Sequence, residues 1–280
     1  MEISAYARKC LREDEEFILY RARASEAELP SVLLLTLAST RPELKSLKKI
    51  EHEYSFRDDL DTTWAVRPLA LSQCNGQKAL VLEDPGGEPL PSLIQGPMET
   101  RQFLRIAIGL AAALSQLHKR KLIHKDVKPS NVLVDSVTGR VWLTGFGIAS
   151  RLPREHQSAE PPEFISGTLA YMAPEQTGRM NRSIDSRSDL YALGVTLYEM
   201  LTGSLPFRAS DPMEWVHCHI ARRPVPPHER VKSVPTWLSA IVMKLIAKTP
   251  EERYQTASGL ESDLRRCLAE WEAHGSIAQF

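Results

Sequence analysis

The stretch Leu122–Asp135 reads Leu-Ile-His-Lys-Asp-Val-Lys-Pro-Ser-Asn-Val-Leu-Val-Asp. Two short apolar runs of β type flank a polar core of His124, Lys125, Asp126, Lys128 and Asn131. A carboxylate, an ammonium and a carboxamide at fixed short spacing could serve a base, a phosphate and a metal ion respectively. A surface turn is the plain alternative, since loops of this polarity are common. Which of the two holds depends on the elements that carry the loop.

Upstream, Phe17–Ala24 and Ser31–Ala38 are apolar runs separated by a short polar segment, which predicts a hairpin. Between Pro42 and Leu60, Leu44, Leu47 and Ile50 recur on one helical face. Val66–Leu71 and Ala79–Glu83 predict two further strands, joined by a turn at Asn75-Gly76. Asp84-Pro85-Gly86-Gly87 then breaks the pattern. It separates a strand-rich small lobe (1–84) from a helical large lobe (99–280), with 85–98 as hinge and linker. Helical periodicity runs through Arg101–Lys119, Asp189–Thr202, Pro212–Arg222, Trp237–Lys248 and Thr256–His274, and Arg140–Leu143 predicts a short strand. Gly145–Gln176 is long, polar and Pro-containing, a functional or a disordered loop. The expected class is α+β.

Composition narrows the function classes. The 280 residues carry 35 Lys plus Arg and 35 Asp plus Glu, a formal net charge of zero. That gives no support for steering to nucleic acid or to a membrane surface. Cys10, Cys74, Cys218 and Cys267 are scattered, with no C-x-x-C pair. They predict reduced thiols in a cytoplasmic chain, not a zinc site or a disulfide frame. No cleavable signal is visible, and Ile106–Leu117, the most apolar helical stretch, is too short to span a bilayer. His217 and Cys218 suggest a metal pair, but no further ligand follows at suitable spacing, so helix packing is the expected role.

The motifs succeed one another in a telling order. His124-Lys125-Asp126 with Asn131 is followed by Gly145-Phe146-Gly147, Gly167-Thr168, Ala173-Pro174-Glu175, Asp189 and Arg253. That succession resembles the protein kinase superfamily, Ser/Thr type, over essentially the whole chain. More narrowly, H-K-D-V-K-P-S-N, G-T-L-A-Y-M-A-P-E-Q-T-G-R-M-N-R and W-V-H-C-H-I-A-R resemble a bacterial group. In it, a kinase-like domain precedes an ATPase and a sensor histidine kinase in one large protein. The resemblance implies a bilobal fold, ATP and Mg²⁺ as cofactors, and protein substrates or partners. It gives Asp126 the proton of the substrate hydroxyl, Lys128 the transferring phosphate and Asn131 a Mg²⁺ ion. It has Thr168 brace Asp126 and Lys128, Glu175 pair with Arg253, and Asp189 hold the backbone of the loop.

The chain departs from that pattern at the nucleotide. Gly145 stands where the metal-binding aspartate belongs. Thr144 is one residue out of phase, and Asp135 or Glu83 would be the substitute carboxylates. On the strand Val32–Leu37 the phosphate-binding lysine is replaced by Leu35, and Leu33 takes the small-residue place above adenine. Glu53, the helix glutamate, is therefore expected to lack its partner and to be solvated. Arg57 falls at the usually apolar position between the lobes. No glycine occurs before Cys74, so the phosphate-cradling loop is absent in its usual form. With Leu82 at the back of the site, Pro85 replaces the hinge N–H donor. The usual arginine before the catalytic aspartate is Lys125, a point charge in place of a bidentate fork, so phosphate-driven ordering of the loop carrying Ser158, Ser166 and Thr168 is expected to be weak. Three functions follow as expectations: a pseudokinase working through protein contacts in signalling, an active Ser/Thr kinase using Asp126, Lys128 and Asn131, and a module that senses ATP without turnover.

Overall fold

A computed structural model describes residues 6–24, 30–74, 76–152, 168–180 and 182–274. Asn75, Ser158, Ser166, Gly167 and Asn181, singled out in the sequence, lie outside the described residues.

The small lobe is a five-stranded antiparallel sheet in the order β1-β2-β3-β5-β4. Its strands are β1 (Tyr6–Glu13), β2 (Phe17–Ala24), β3 (Val32–Leu37), β4 (Pro68–Cys74) and β5 (Gln77–Glu83). The β2–β3 and β4–β5 hairpins form as expected; β1 is an addition. Its sequence, Tyr-Ala-Arg-Lys-Cys-Leu-Arg-Glu, is too charged to read as a strand, and it holds an edge where neither face is deeply buried. By contrast, β3 is buried at every position, which is why it reads as apolar sequence interrupted by Thr36 alone.

Helix α1 (Leu44–Ser55) packs on β4 and β5. Its last turn tightens, with the Phe56 N–H donating to the Glu53 carbonyl at 3.2 Å. That three-residue closure brings Phe56, not Arg57, onto the face of Glu53. Phe56 is buried within the large-lobe core, while Arg57 is exposed and lies over the Tyr54 ring. The expectation for Arg57 was one residue out of register.

The large lobe is built on α2 (Thr100–Lys119) and α3 (Ser186–Thr202), with α4 (Pro212–Ile220), α5 (Pro227–Arg230), α6 (Thr236–Leu245) and α7 (Ala257–His274) around them. Glu99 caps α2 by accepting from the N–H groups of Arg101 and Gln102. Apolar residues cover nearly every side of α3 because α2, α5 and α6 all pack on it. Short strand pairs frame the central loop: β7 (Leu122–Ile123) with β10 (Ser150–Arg151), and β6 (Glu88–Pro89), β8 (Val132–Val134) and β9 (Val141–Leu143) in a small sheet.

The lobes interlock. Phe56, Leu60 and Trp64 join the large-lobe core, while Leu133 and Trp142 join the small-lobe cluster with Leu33, Leu35 and Leu82. Two backbone bonds, Val66 N–H to Leu143 O and Leu143 N–H to Trp64 O, staple the seam. The fold is the bilobal α+β architecture that the motifs implied.

Candidate active site

The loop after β7 is anchored from below by a buried carboxylate. Asp189, fully enclosed in α3, accepts the N–H groups of His124 at 2.9 Å and Lys125 at 2.8 Å. His118 Nε2 lies 2.9 Å from Oδ2, the oxygen that also accepts the His124 N–H. Burial pushes the Asp189 carboxyl upward, but the His118 contact and the backbone donor of His124 outweigh it and hold it below its usual value. Lys125 takes a left-handed turn conformation (φ +68°) that aims the following residue at the cleft. His124 Nδ1 accepts the Asp126 N–H, leaving Nε2–H to donate to the Thr144 carbonyl at 2.9 Å. Burial keeps its pKa low, so it remains a neutral strut between the loop and residue 145.

Asp126, Lys128, Asn131 and Thr168 meet above that strut. Lys128 Nζ lies 2.9 Å from Asp126 Oδ2 and donates to Thr168 Oγ1. The Thr168 N–H donates to Asp126 Oδ1 at 3.1 Å, and Asn131 Nδ2 donates to Asp126 Oδ2 at 2.9 Å. Chemically this is a carboxylate held beside an ammonium and a hydroxyl, the set of groups that general-base chemistry on an alcohol uses. Farther down, Arg253 forks onto Glu175 at 2.7 and 2.9 Å, with Ser188 Oγ donating to the same carboxylate.

A cleft of 680 Å³ opens over this group. Leu35 and Gly145 both line it, as do Asp126, Lys128, Asn131 and Thr168. Thr144, Asp135 and Glu83 do not. Asp135 instead closes its own turn, accepting from Val137 N–H and Thr138 Oγ1. Glu83 departs from its expected cofactor role: its carboxylate pairs with Arg67 at 3.3 Å, on the outer face of the strand end. The Thr144 hydroxyl is buried with no partner.

Glu53 also departs from its expected place. It is not solvated but 3% exposed, and its Oε1 accepts the Gly145 N–H at 3.2 Å. Burial raises its pKa against the lowering influence of Arg12 and of the Phe146 and Gly145 backbone. The sequence does not show this because the partner comes from backbone, not from the missing lysine.

Arg12, Asp14, Arg21 and Lys49 belong to no motif in the sequence, yet they shape the cleft and the hinge. The Asp14 carboxylate accepts the N–H groups of Glu16 and Phe17 at 3.0 and 2.8 Å, so donors of the β1–β2 turn are already taken by an internal anion. Glu16 pairs with Lys49 of α1 at 2.5 Å. Arg21 forks onto Asp84 at 2.8 and 3.1 Å and donates to the Gly87 carbonyl, tying β2 to the hinge. Arg12 donates from Nη1 to Asn131 Oδ1 and, at 2.8 Å, to the Ser130 carbonyl. The available signal was a charged run, Arg-Glu-Asp-Glu-Glu, where a glycine loop belongs.

These groups do not fit magnesium–nucleotide. A metal ion between Asn131 and residue 145 would meet a glycine on one side and a ligand oxygen already bonded to guanidinium on the other. Leu35, which lines the cleft, belongs to one buried apolar cluster with Leu33, Leu82 and Leu133.

The family model for the protein kinase domain matches residues 34–264. The serine/threonine-protein kinase PknB of Mycobacterium leprae is 38% identical over 189 residues, 67% of this chain and 30% of that protein. PknB of Mycobacterium tuberculosis is 36% identical over the same length. A probable serine/threonine-protein kinase of Clostridium perfringens, CPE1738, is 29% identical over 260 residues, 92% of this chain and 37% of that protein. The chain thus spans about a third of the length of these relatives. With the fold, the anchored loop and the family match in agreement, the chain belongs to the protein kinase superfamily, of the serine/threonine type.

Proposed function

We propose that this chain is a pseudokinase, a serine/threonine kinase domain with weak or no phosphotransfer that acts through protein contacts in bacterial signalling. The observation that carries the reading is the guanidinium of Arg12 on Asn131 Oδ1, opposite a glycine at 145. Removing one preorganised electrostatic stabiliser typically lowers a rate by roughly 10²–10³. Here Leu35, Gly145 and the Asp14-filled turn remove several, and such losses do not simply multiply. On this reading residues 1–84 are the small lobe, 85–98 the hinge and 99–280 the large lobe. The partners are proteins in the cytoplasm, with ATPase and sensor histidine kinase modules of a larger polypeptide as the leading candidates.

One observation favours an active kinase instead. Asp126, Lys128, Asn131 and Thr168 keep a mutual geometry suited to accepting a hydroxyl proton. Among nucleotide-based alternatives, a module that binds ATP without metal and without turnover completes the set.

Thermal unfolding with ATP, in the presence and absence of Mg²⁺, separates the three. The pseudokinase reading expects no metal-dependent rise in midpoint and no phosphate transfer. A Mg²⁺-dependent rise, with transfer abolished by Asp126→Ala, would sink it. A Mg²⁺-independent rise without transfer favours the sensor.

A further inference from the structure

The sheet register explains how an edge-strand side chain reaches the catalytic loop. In β1, Cys10 lies opposite Tyr20 and Arg12 opposite Leu19, so Leu11 is an extra residue in a bulge. Directly opposed residues of an antiparallel pair share a face. Leu19 in turn opposes Leu35 on β3, and Leu35 opposes Leu80 on β5. Arg12 therefore stands in the same cross-strand row, and on the same inward face, as Leu35. Without the bulge Arg12 would oppose Ile18 and point away from the cleft. The cation absent from β3 has a counterpart two strands over.

Once on that face, Arg12 is nine-tenths buried and engages the large lobe across the cleft. Its Nη1 donates to the Asn131 side-chain oxygen and the Ser130 carbonyl, 119 and 118 residues distant in sequence. Its charge acts on Glu53 from the other side. Its Nε is enclosed without a hydrogen-bond partner. A Cβ at Gly145 would lie 2.7 Å from Asn131, so the side chain that normally shares a metal with Asn131 has no room in this arrangement.

We propose that the Arg12 guanidinium replaces the metal ion of the cleft, a tethered cation that couples the two lobes without nucleotide. The proposal rests on the reading that the cleft does not load magnesium–nucleotide. It adds the reason: the metal-facing oxygen of Asn131 is already satisfied by a charge carried on the chain. Lobe closure then becomes a constitutive property of the fold, suited to presenting a fixed surface to a protein partner.

The test uses the purified chain with Mn²⁺ alone and no nucleotide. Arg12→Ala is expected to lower the unfolding midpoint by about 3–8 °C, the loss of a hydrogen bond from a charged donor in a domain of this size. Millimolar Mn²⁺ is expected to raise the midpoint of Arg12→Ala but not of the wild type, and Asn131→Ala in the same background to abolish that rise. The Arg12→Ala and Asn131→Ala losses are expected to be less than additive in the double variant. Should Arg12→Ala not fold, Arg12→Gln carries the same comparison, because it keeps a donor and removes the charge. Equal Mn²⁺ responses in wild type and variant, no response in either, or additive losses would each overturn the proposal. Phosphate transfer from Mg·ATP by the wild type would instead overturn the pseudokinase reading, and it is scored in a separate assay.

Discussion

The Glu53 carboxylate accepts the backbone N–H of Gly145 at 3.2 Å, joining α1 to the residue that replaces the metal-binding aspartate. A side chain that elsewhere in the superfamily would hold a lysine here holds the backbone of the opposite lobe. Burial raises its pKa above the usual 4.5. The native state then binds more protons than the unfolded chain between 4.5 and the raised value, so its stability falls as pH rises through that window. Glu53→Gln keeps the acceptor and removes the titration. Urea unfolding over an acid-to-neutral series should show a flatter profile for that variant. Glu53→Ala, which orphans the Gly145 N–H, should cost about 1–3 kcal/mol. Equal pH profiles for Gln and wild type would show that Glu53 does not titrate in the fold.

Arg253 and Glu175 make a second buried relationship, with the guanidinium enclosed and forked at 2.7 and 2.9 Å. Removing one partner leaves an uncompensated charge in the core of the large lobe. Arg253→Met should therefore cost about 3–5 kcal/mol, and adding Glu175→Leu should recover part of it. Chemical denaturation of both variants checks this. A double variant less stable than Arg253→Met would contradict it.

The large lobe was legible because its signals are local and redundant. Helical periodicity is carried by the residue types themselves, and the Asp189 anchor and the Glu175–Arg253 pair by the motifs that resemble the kinase superfamily. The small lobe was legible only where strands are apolar. Strand β1 was not, since an edge strand has no face that must be hydrophobic, and its bulge leaves no mark in composition. Leu35 and Gly145 announced what is missing from the cleft. What fills it could not be read, because Arg12 reaches Asn131 through a one-residue phase shift that only register reveals. Glu53 was misjudged for a related reason: its partner is a backbone N–H, which every sequence contains.

Restoring the missing carboxylate should not restore metal binding. Gly145 has φ +79°, and a Cβ there would lie 2.7 Å from the Asn131 side chain. A non-glycine residue in that conformation costs about 1–2 kcal/mol before the clash is relieved. Gly145→Asp is therefore expected to unfold at lower temperature than wild type and to show no Mg²⁺-dependent shift with ATP. A Mg²⁺-dependent rise in this single variant would mean that Arg12 yields readily to a metal.

His219 supplies an acid-side dependence of opposite sign. Burial, reinforced by the Lys248 charge, lowers its pKa from 6.5 to about 4. Its ring stacks on Trp215, and its Nδ1 lies 2.9 Å from the Tyr191 hydroxyl. Between those two values the unfolded chain binds more protons than the native state, so stability rises with pH there. Acidification through the window should cost up to roughly 3 kcal/mol. His219→Phe should flatten this part of the curve; an unchanged slope would assign the acid sensitivity elsewhere.

Moving the cation back to β3 tests the register argument most directly. Leu35 shares a cross-strand row and a face with Arg12, so a lysine at 35 would enter the same space and meet the same Glu53 field. With Arg12 present, Leu35→Lys buries a second positive charge beside the first and should be strongly destabilising. With Arg12→Ala, the space and the carboxylate are free, and the same substitution should cost less. Residues that share a site couple by about 0.5–3 kcal/mol, while independent ones add to within about 0.5 kcal/mol. A double-mutant cycle by urea unfolding should accordingly give a favourable coupling of at least about 1 kcal/mol between the two changes. Additive costs would place Arg12 and position 35 in separate environments and remove the cross-strand row as the route by which the cation reaches the cleft.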